Sequence, residues 1–173
     1  MTDPAAPAPT PAPTPAATAT RPVGGVQYGA LVATVVIVGF VGAWSYFLPQ
    51  AYYDHFPSVL GEWVSKDGPY NEHLVRDHGA MYLALGAASL YGLIRPSQVG
   101  CRLLGIAWTV FGILHFAYHV THLGHLPTDE AIGQVVVLAV AIVLAVMLLI
   151  PGRTAEPTAG PQPGGKSPTR TGR

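Results

Sequence analysis

Four apolar stretches constrain this chain more than any other feature: Gln27–Leu48, His78–Ile94, Leu103–Val120 and Ala131–Ile150. Each holds 17–22 residues, and about 20 mainly apolar residues cover a hydrocarbon core about 30 Å thick. Inside such a core there is no water to satisfy the backbone, so each stretch is expected to be a helix. A soluble bundle would need a polar face on every helix. Val35–Val41 and Val135–Ile150 offer none. Only 10% of the residues are charged, against about 25% in a typical soluble domain. The prolines agree. Those outside the termini are Pro49, Pro57, Pro69, Pro96 and Pro127, all between the stretches. None interrupts a helix, where it would cost about 3 kcal/mol. The expected fold class is all-α, a four-transmembrane-helix bundle over residues 26–150.

The two ends are of different material. Residues 1–25 are rich in Ala, Pro and Thr, and residues 151–173 in Pro and Gly with four basic residues. Neither can bury enough apolar surface to offset ordering entropy, so both are expected to be disordered tails. No basic segment opens the chain and the apolar run starts near residue 27. The first stretch therefore reads as an uncleaved anchor, not a signal peptide.

Charge sets the expected orientation. The two tails and the Arg95–Arg102 connection carry seven basic and two acidic residues, a net +5. The other side carries Lys66 and Arg76 against seven acids, a net −5. The positive-inside rule puts both termini in the cytoplasm and Pro49–Asp77 outside. The corresponding location is the bacterial cytoplasmic (inner) membrane, crossed several times.

The first loop is dense in aromatic residues: Tyr52, Tyr53, Phe56, Trp63 and Tyr70 follow Tyr46 and Phe47. Such residues suit the headgroup zone. A short helix over Phe56–Val64 is expected to lie there, either as an interfacial anchor or as a lid over a polar pocket. In the second stretch Ala80, Ala84, Ala88 and Gly92 recur every four residues. Small residues at that spacing let helix backbones approach. Gly39, Gly42, Gly105 and Gly112 can serve the same purpose on the first and third helices. The stripe extends back to Arg76 and Glu72. Glu72–Arg76 and His73–Asp77 are both spaced i, i+4 and can pair on a helix.

The third stretch carries His115, His119 and His122 at i, i+4 and i+7, within about a 60° arc of an ideal helix. Beyond Thr121 the helix is expected to fray, leaving His122 and His125 to the loop. Ionisable groups inside a membrane are costly and usually face the bundle interior or water. His115 is the deepest. With His73, Asp77 or His78 from the second helix, these imidazoles have the donor types for a divalent metal such as zinc. The same set suits a proton relay, or axial ligation of a haem. The competing reading is structural: interfacial histidines, with Glu72 and Arg76 organising the first loop on the second helix.

Other chemistry is sparse. There is no H-E-x-x-H, because no glutamate follows His115 or His119. Cys101 is alone, so no disulfide forms within the chain. No phosphate loop, dinucleotide fingerprint or G-x-S-x-G is present.

Gly68-Pro-Tyr-Asn-Glu-His-Leu-Val-Arg-Asp77 and His115-Phe-Ala-Tyr-His-Val-Thr-His-Leu123 resemble a group of small four-helix membrane proteins of high-GC bacteria. Their plan is loosely similar to that of DoxX-like proteins. The resemblance covers about residues 27–150. It implies a four-helix membrane bundle and brings no activity or cofactor with it. Two functions stay open. One is a binding or redox-linked protein with a polar site at the outer end of the second and third helices. The other is a structural or assembly subunit without chemistry. Expected partners are the lipid bilayer and other copies or proteins docked through small-residue faces, with no nucleic acid.

Overall fold

Local chemistry sets the ends of the helices. The computed structural model describes residues 22–151, so nearly all of both expected tails lies outside the described residues. Helix α1 spans Gly25–Phe47, and Gln27 reaches back to accept from the Gly24 N–H at 3.1 Å. It stops before Pro49, which opens the short helix α2, Pro49–His55. A two-residue hairpin follows, β1 (Pro57–Ser58) against β2 (Gly61–Glu62), then α3, Trp63–Asp67. Helix α4 spans Glu72–Ile94. It begins a turn and a half earlier than its apolar residues because Asn71 caps it, its Oδ1 accepting from the Leu74 N–H. Ser97 caps α5, Gln98–Val120, in the same way. After a 3-10 turn at Leu123–His125, α6 runs Thr128–Met147. The third helix ends where fraying was expected.

The chain is predominantly helical, and α1, α5 and α6 are long and apolar enough to cross a membrane. Large apolar side chains such as Val36, Phe40, Ile106, Leu114 and Val140 are exposed on them, a pattern costly in water and natural in lipid. Helix α4 is as long as α1 at 23 residues, but its first two turns carry Glu72, His73, Arg76, Asp77 and His78.

Glycines decide how the helices pair. A Cβ on Gly79 would lie 2.6 Å from the Tyr46 nitrogen, one on Gly42 3.1 Å from the Leu83 nitrogen, and one on Gly86 3.2 Å from Val38 Cγ2. Numbers rise along α4 as they fall along α1, so the pair is antiparallel. Gly105 meets Leu148 and Leu149, and Gly112 meets Ile142, making α5 and α6 a second antiparallel pair. The pairs join where Trp108 Nε1 donates to Ser89 Oγ at 3.0 Å and Ser89 Oγ donates to Leu85 O. Gln27 closes the far end. It is 1% exposed, and its Nε2 donates to the Leu148 carbonyl at 2.9 Å. Gln98 Nε2 donates in turn to Gln27 Oε1 and to the Pro22 carbonyl. The start of α1 and the end of α6 therefore share one end of the bundle. The buried core, Leu31, Val38, Cys101, Leu104, Trp108 and Leu148 among its members, belongs to that half.

Three expectations change. Ala80, Ala84 and Ala88 are exposed, and only Gly92 of that stripe is buried. The buried face of α4 is instead Val75, Gly79, Gly86, Ser89 and Gly92. Contact here is close enough to exclude even an alanine methyl, so glycine and not alanine marks the seam. Gly39 has open space, whereas Gly42, Gly105 and Gly112 are at contacts. No helix spans Phe56–Val64. Pro57 lacks an N–H, and Ser58 (φ 69°) and Gly61 (φ 122°) turn the chain out of helical geometry.

The seam yields a paired prediction. Gly79→Ala should lower stability by about 1–3 kcal/mol, the usual cost of overpacking, because the Tyr46 backbone cannot move aside. Ala84→Leu should stay within about 0.5 kcal/mol, as surface substitutions do. Thermal unfolding in mild detergent reads both, and equal losses would place the seam elsewhere.

Candidate functional site

At the end of the bundle opposite Gln27, the two helix pairs stand apart and the first loop covers the gap. Arg76 fixes one side of it. Its Nε donates to Glu72 Oε1 at 2.8 Å, and its Nη1 donates to the Tyr46 carbonyl. The guanidinium lies 5.8 Å from the centre of the Tyr46 ring. One of the last free carbonyls of α1 is thereby capped by α4. Two residues on, His78 sits between the rings of Tyr52 at 5.7 Å and Tyr82 at 4.4 Å. Its Nδ1 is buried and has no hydrogen-bond partner among the described residues.

Helix α5 supplies the facing column. Phe111 stacks on His115 at 5.2 Å, and His115 meets His119 edge-on at 4.6 Å. Tyr82 bridges the pairs, its ring 5.5 Å from Phe111 and 5.8 Å from Trp108.

The loop closes over both sides as a lid. Trp63 and Tyr52 are only 4% and 6% exposed. Phe56 lies between them, 4.6 Å from Tyr52 and 6.3 Å from Trp63. Burial pushes the Tyr52 phenol well above its usual range, so it stays neutral. Two sets of polar contacts latch the lid to the α5–α6 pair. Lys66 Nζ donates to both carboxylate oxygens of Glu130, at 2.6 and 2.7 Å. Asp67 lies between two imidazoles, its Oδ1 3.0 Å from His125 Nε2 and its Oδ2 3.7 Å from His119 Nδ1. Gly61 packs against the Glu130 side chain so closely that a Cβ would overlap it.

Beneath the lid is a cavity of about 300 Å³. Ile37, Val41, Val75, Val137, Leu138 and Ala141 give it apolar walls. Its polar lining is Asp67, His78, His115, His119, Gln134 and the tyrosines Tyr52 and Tyr82. A smaller space of about 60 Å³ continues towards Trp108, Phe111 and Ala145, and shares Ile37, Tyr82, His115, Leu138 and Ala141 with the larger one. His115 thus stands where the two meet.

Of the residues singled out in the sequence, His78, His115 and His119 line this cavity. His73, Asp77 and His122 do not. His73 and Asp77 pair with each other at 3.2 Å in solvent-exposed positions. His122 turns away to stack on Tyr118, with its Nδ1 2.8 Å from the Tyr118 carbonyl. The acid that reaches the histidines is Asp67, from the lid, instead of Asp77. Among the described residues no three His, Cys, Asp or Glu side chains are grouped to hold a metal ion. Asp67, Tyr82 and Gln134 were not singled out. Gln134 had a visible signal, being the one amide in the fourth apolar stretch. Tyr82 follows His78 by one turn on the same face. Nothing local marks Asp67, whose role depends on where the lid lands. No protein-family model, curated protein or solved structure matches the chain.

The latch can be measured. Asp67→Asn combined with Glu130→Gln should speed amide hydrogen exchange over residues 57–68 by about tenfold, equivalent to ~1.4 kcal/mol of local opening. Exchange in the middle of α1 and α5 should not change. Unaltered exchange in the lid would mean that its aromatic residues alone hold it.

Proposed function

We propose that this chain is a four-span protein of the bacterial cytoplasmic membrane that holds a small, mainly apolar molecule beneath the first-loop lid. The cavity carries this reading. It is at the lower end of the size range of small-molecule sites, about 300–1,000 Å³. Apolar walls with a few convergent polar groups are the composition such sites use. Helix α4 is the fourth crossing in this reading. Its antiparallel course along α1 supports that, as does the lack of Asp, Glu, Lys or Arg from His78 to Ile94. At a rise of about 1.5 Å per residue its 23 residues extend about 35 Å. Both termini are cytoplasmic and the lid is outside, on the strength of the basic excess in the tails and the Arg95–Arg102 connection.

The second reading is a subunit that docks other helices. The exposed Ala80, Ala84 and Ala88 favour it, since they leave a smooth outer line on α4. One experiment separates the two. Protein purified in mild detergent should release a cavity-bound apolar molecule on solvent extraction, detected by mass spectrometry at near one per chain. Leu138→Trp, which fills the cavity from α6, should abolish it while the protein stays folded. The subunit reading expects no such cavity-dependent molecule.

Orientation is tested separately. With Cys101→Ala as background, Ser58→Cys should react with a membrane-impermeant thiol reagent in intact cells, and Ser167→Cys only after lysis. The reverse pattern would invert the topology.

A further inference from the structure

We infer that the molecule held beneath the lid is an uncharged amphiphile, a hydroxyl head on a slender hydrocarbon tail, with the head at His78 and the tail directed towards Trp108. This rests on the binding reading above and specifies its ligand class.

Charge around the cavity argues for a neutral head. No Lys or Arg is among the lining residues. The nearby cations are committed, Lys66 to Glu130 and Arg76 to Glu72 and the Tyr46 carbonyl. The one acid in the lining, Asp67, already lies between His119 and His125. An anionic head would therefore have to draw a proton onto a buried imidazole or remain unpaired, and burial penalises both. A cationic head would have to displace one of the two imidazoles from Asp67.

Hydrogen bonding argues for a hydroxyl. Neutral imidazole has one donor and one acceptor nitrogen. His78 lines the cavity, and its buried Nδ1 has no partner among the described residues, an arrangement that costs free energy unless a small rotation of the ring brings that nitrogen to a bound group. A hydroxyl both donates and accepts, so it satisfies either tautomer.

Shape argues for the tail. From His115 to Trp108 the smaller space follows α5 for two turns, about 10 Å. Its walls there include Val38, Trp108, Phe111, Leu144 and Ala145, with Thr34 and Tyr82 the hydroxyl-bearing residues of the lining. The space is narrow at about 60 Å³, which admits a chain and excludes a fused ring system.

Photolabelling of the full chain in native membranes tests this. The probes are a diazirine-tagged linear fatty alcohol and the fatty acid of the same chain, applied at neutral pH. The alcohol should label residues of α5 and α6 that line the two spaces, and the acid about tenfold less. His78→Phe keeps the ring and removes both nitrogens, and should reduce labelling by the alcohol about fivefold to tenfold, the equivalent of one hydrogen bond. Its melting temperature should not fall, because an unpartnered buried nitrogen is removed. Leu138→Trp should eliminate labelling at these residues by either probe. Equal, cavity-dependent labelling by acid and alcohol would overturn the neutral head and leave the binding reading standing. Unchanged labelling in His78→Phe would overturn the head's position. Labelling that Leu138→Trp does not alter would overturn the binding reading itself.

Discussion

The backbone contact between α1 and α4 at Gly42 and Gly79 governs the rest of the molecule. At each glycine the backbone of the facing helix comes too close for a Cβ to fit without a shift. That closeness brings Arg76 within reach of the Tyr46 carbonyl, which ties the lid's two ends together. It also places Tyr82 at the edge of the seam, beside Gly42, from where its ring reaches Trp108 and Phe111 of α5. The α5–α6 pair is built by the same device at Gly105 and Gly112. With each pair tight within itself, the room in the bundle lies between pairs. Near the chain ends that room is filled by Leu31, Leu104, Trp108 and Leu148. At the other end smaller or polar residues leave it open.

The sequence revealed the helices well because their signals are local. Apolar length, proline placement and the caps at Asn71 and Ser97 act over a few residues each. The i, i+4 pairs Glu72–Arg76 and His73–Asp77 form for the same reason. The seam is hard to read from sequence because alanine and glycine look alike as small residues. They differ by one methyl, and at a backbone separation this short that methyl is decisive.

The site was half visible. His115 and His119 are a turn apart on one helix, so any helix containing both brings their rings together. An ideal helical arc would group His122 with them, but the helix ends at Val120 and its ring follows Tyr118 instead. Asp67 was hidden for another reason. Its neighbours His119 and His125 are more than fifty residues away in the chain. Their meeting depends on the hairpin at Pro57–Glu62, which redirects a loop that otherwise looked helical.

The amide cluster of Gln27 and Gln98 closes the bundle at the end away from the lid. It cross-links the start of α1, the start of α5 and the end of α6 through bonds that a low-dielectric setting strengthens. That end acts as a fixed pivot. The opposite end is held by the Lys66–Glu130 ion pair, the Asp67–imidazole contacts and the lid's aromatic residues, on a loop with its own short helices. Separating the helix pairs at the Gln27 end would break the amide bonds, whereas on the lid side it would break contacts nearer the surface. On the binding reading proposed above, the ligand would therefore enter and leave from the lid side alone.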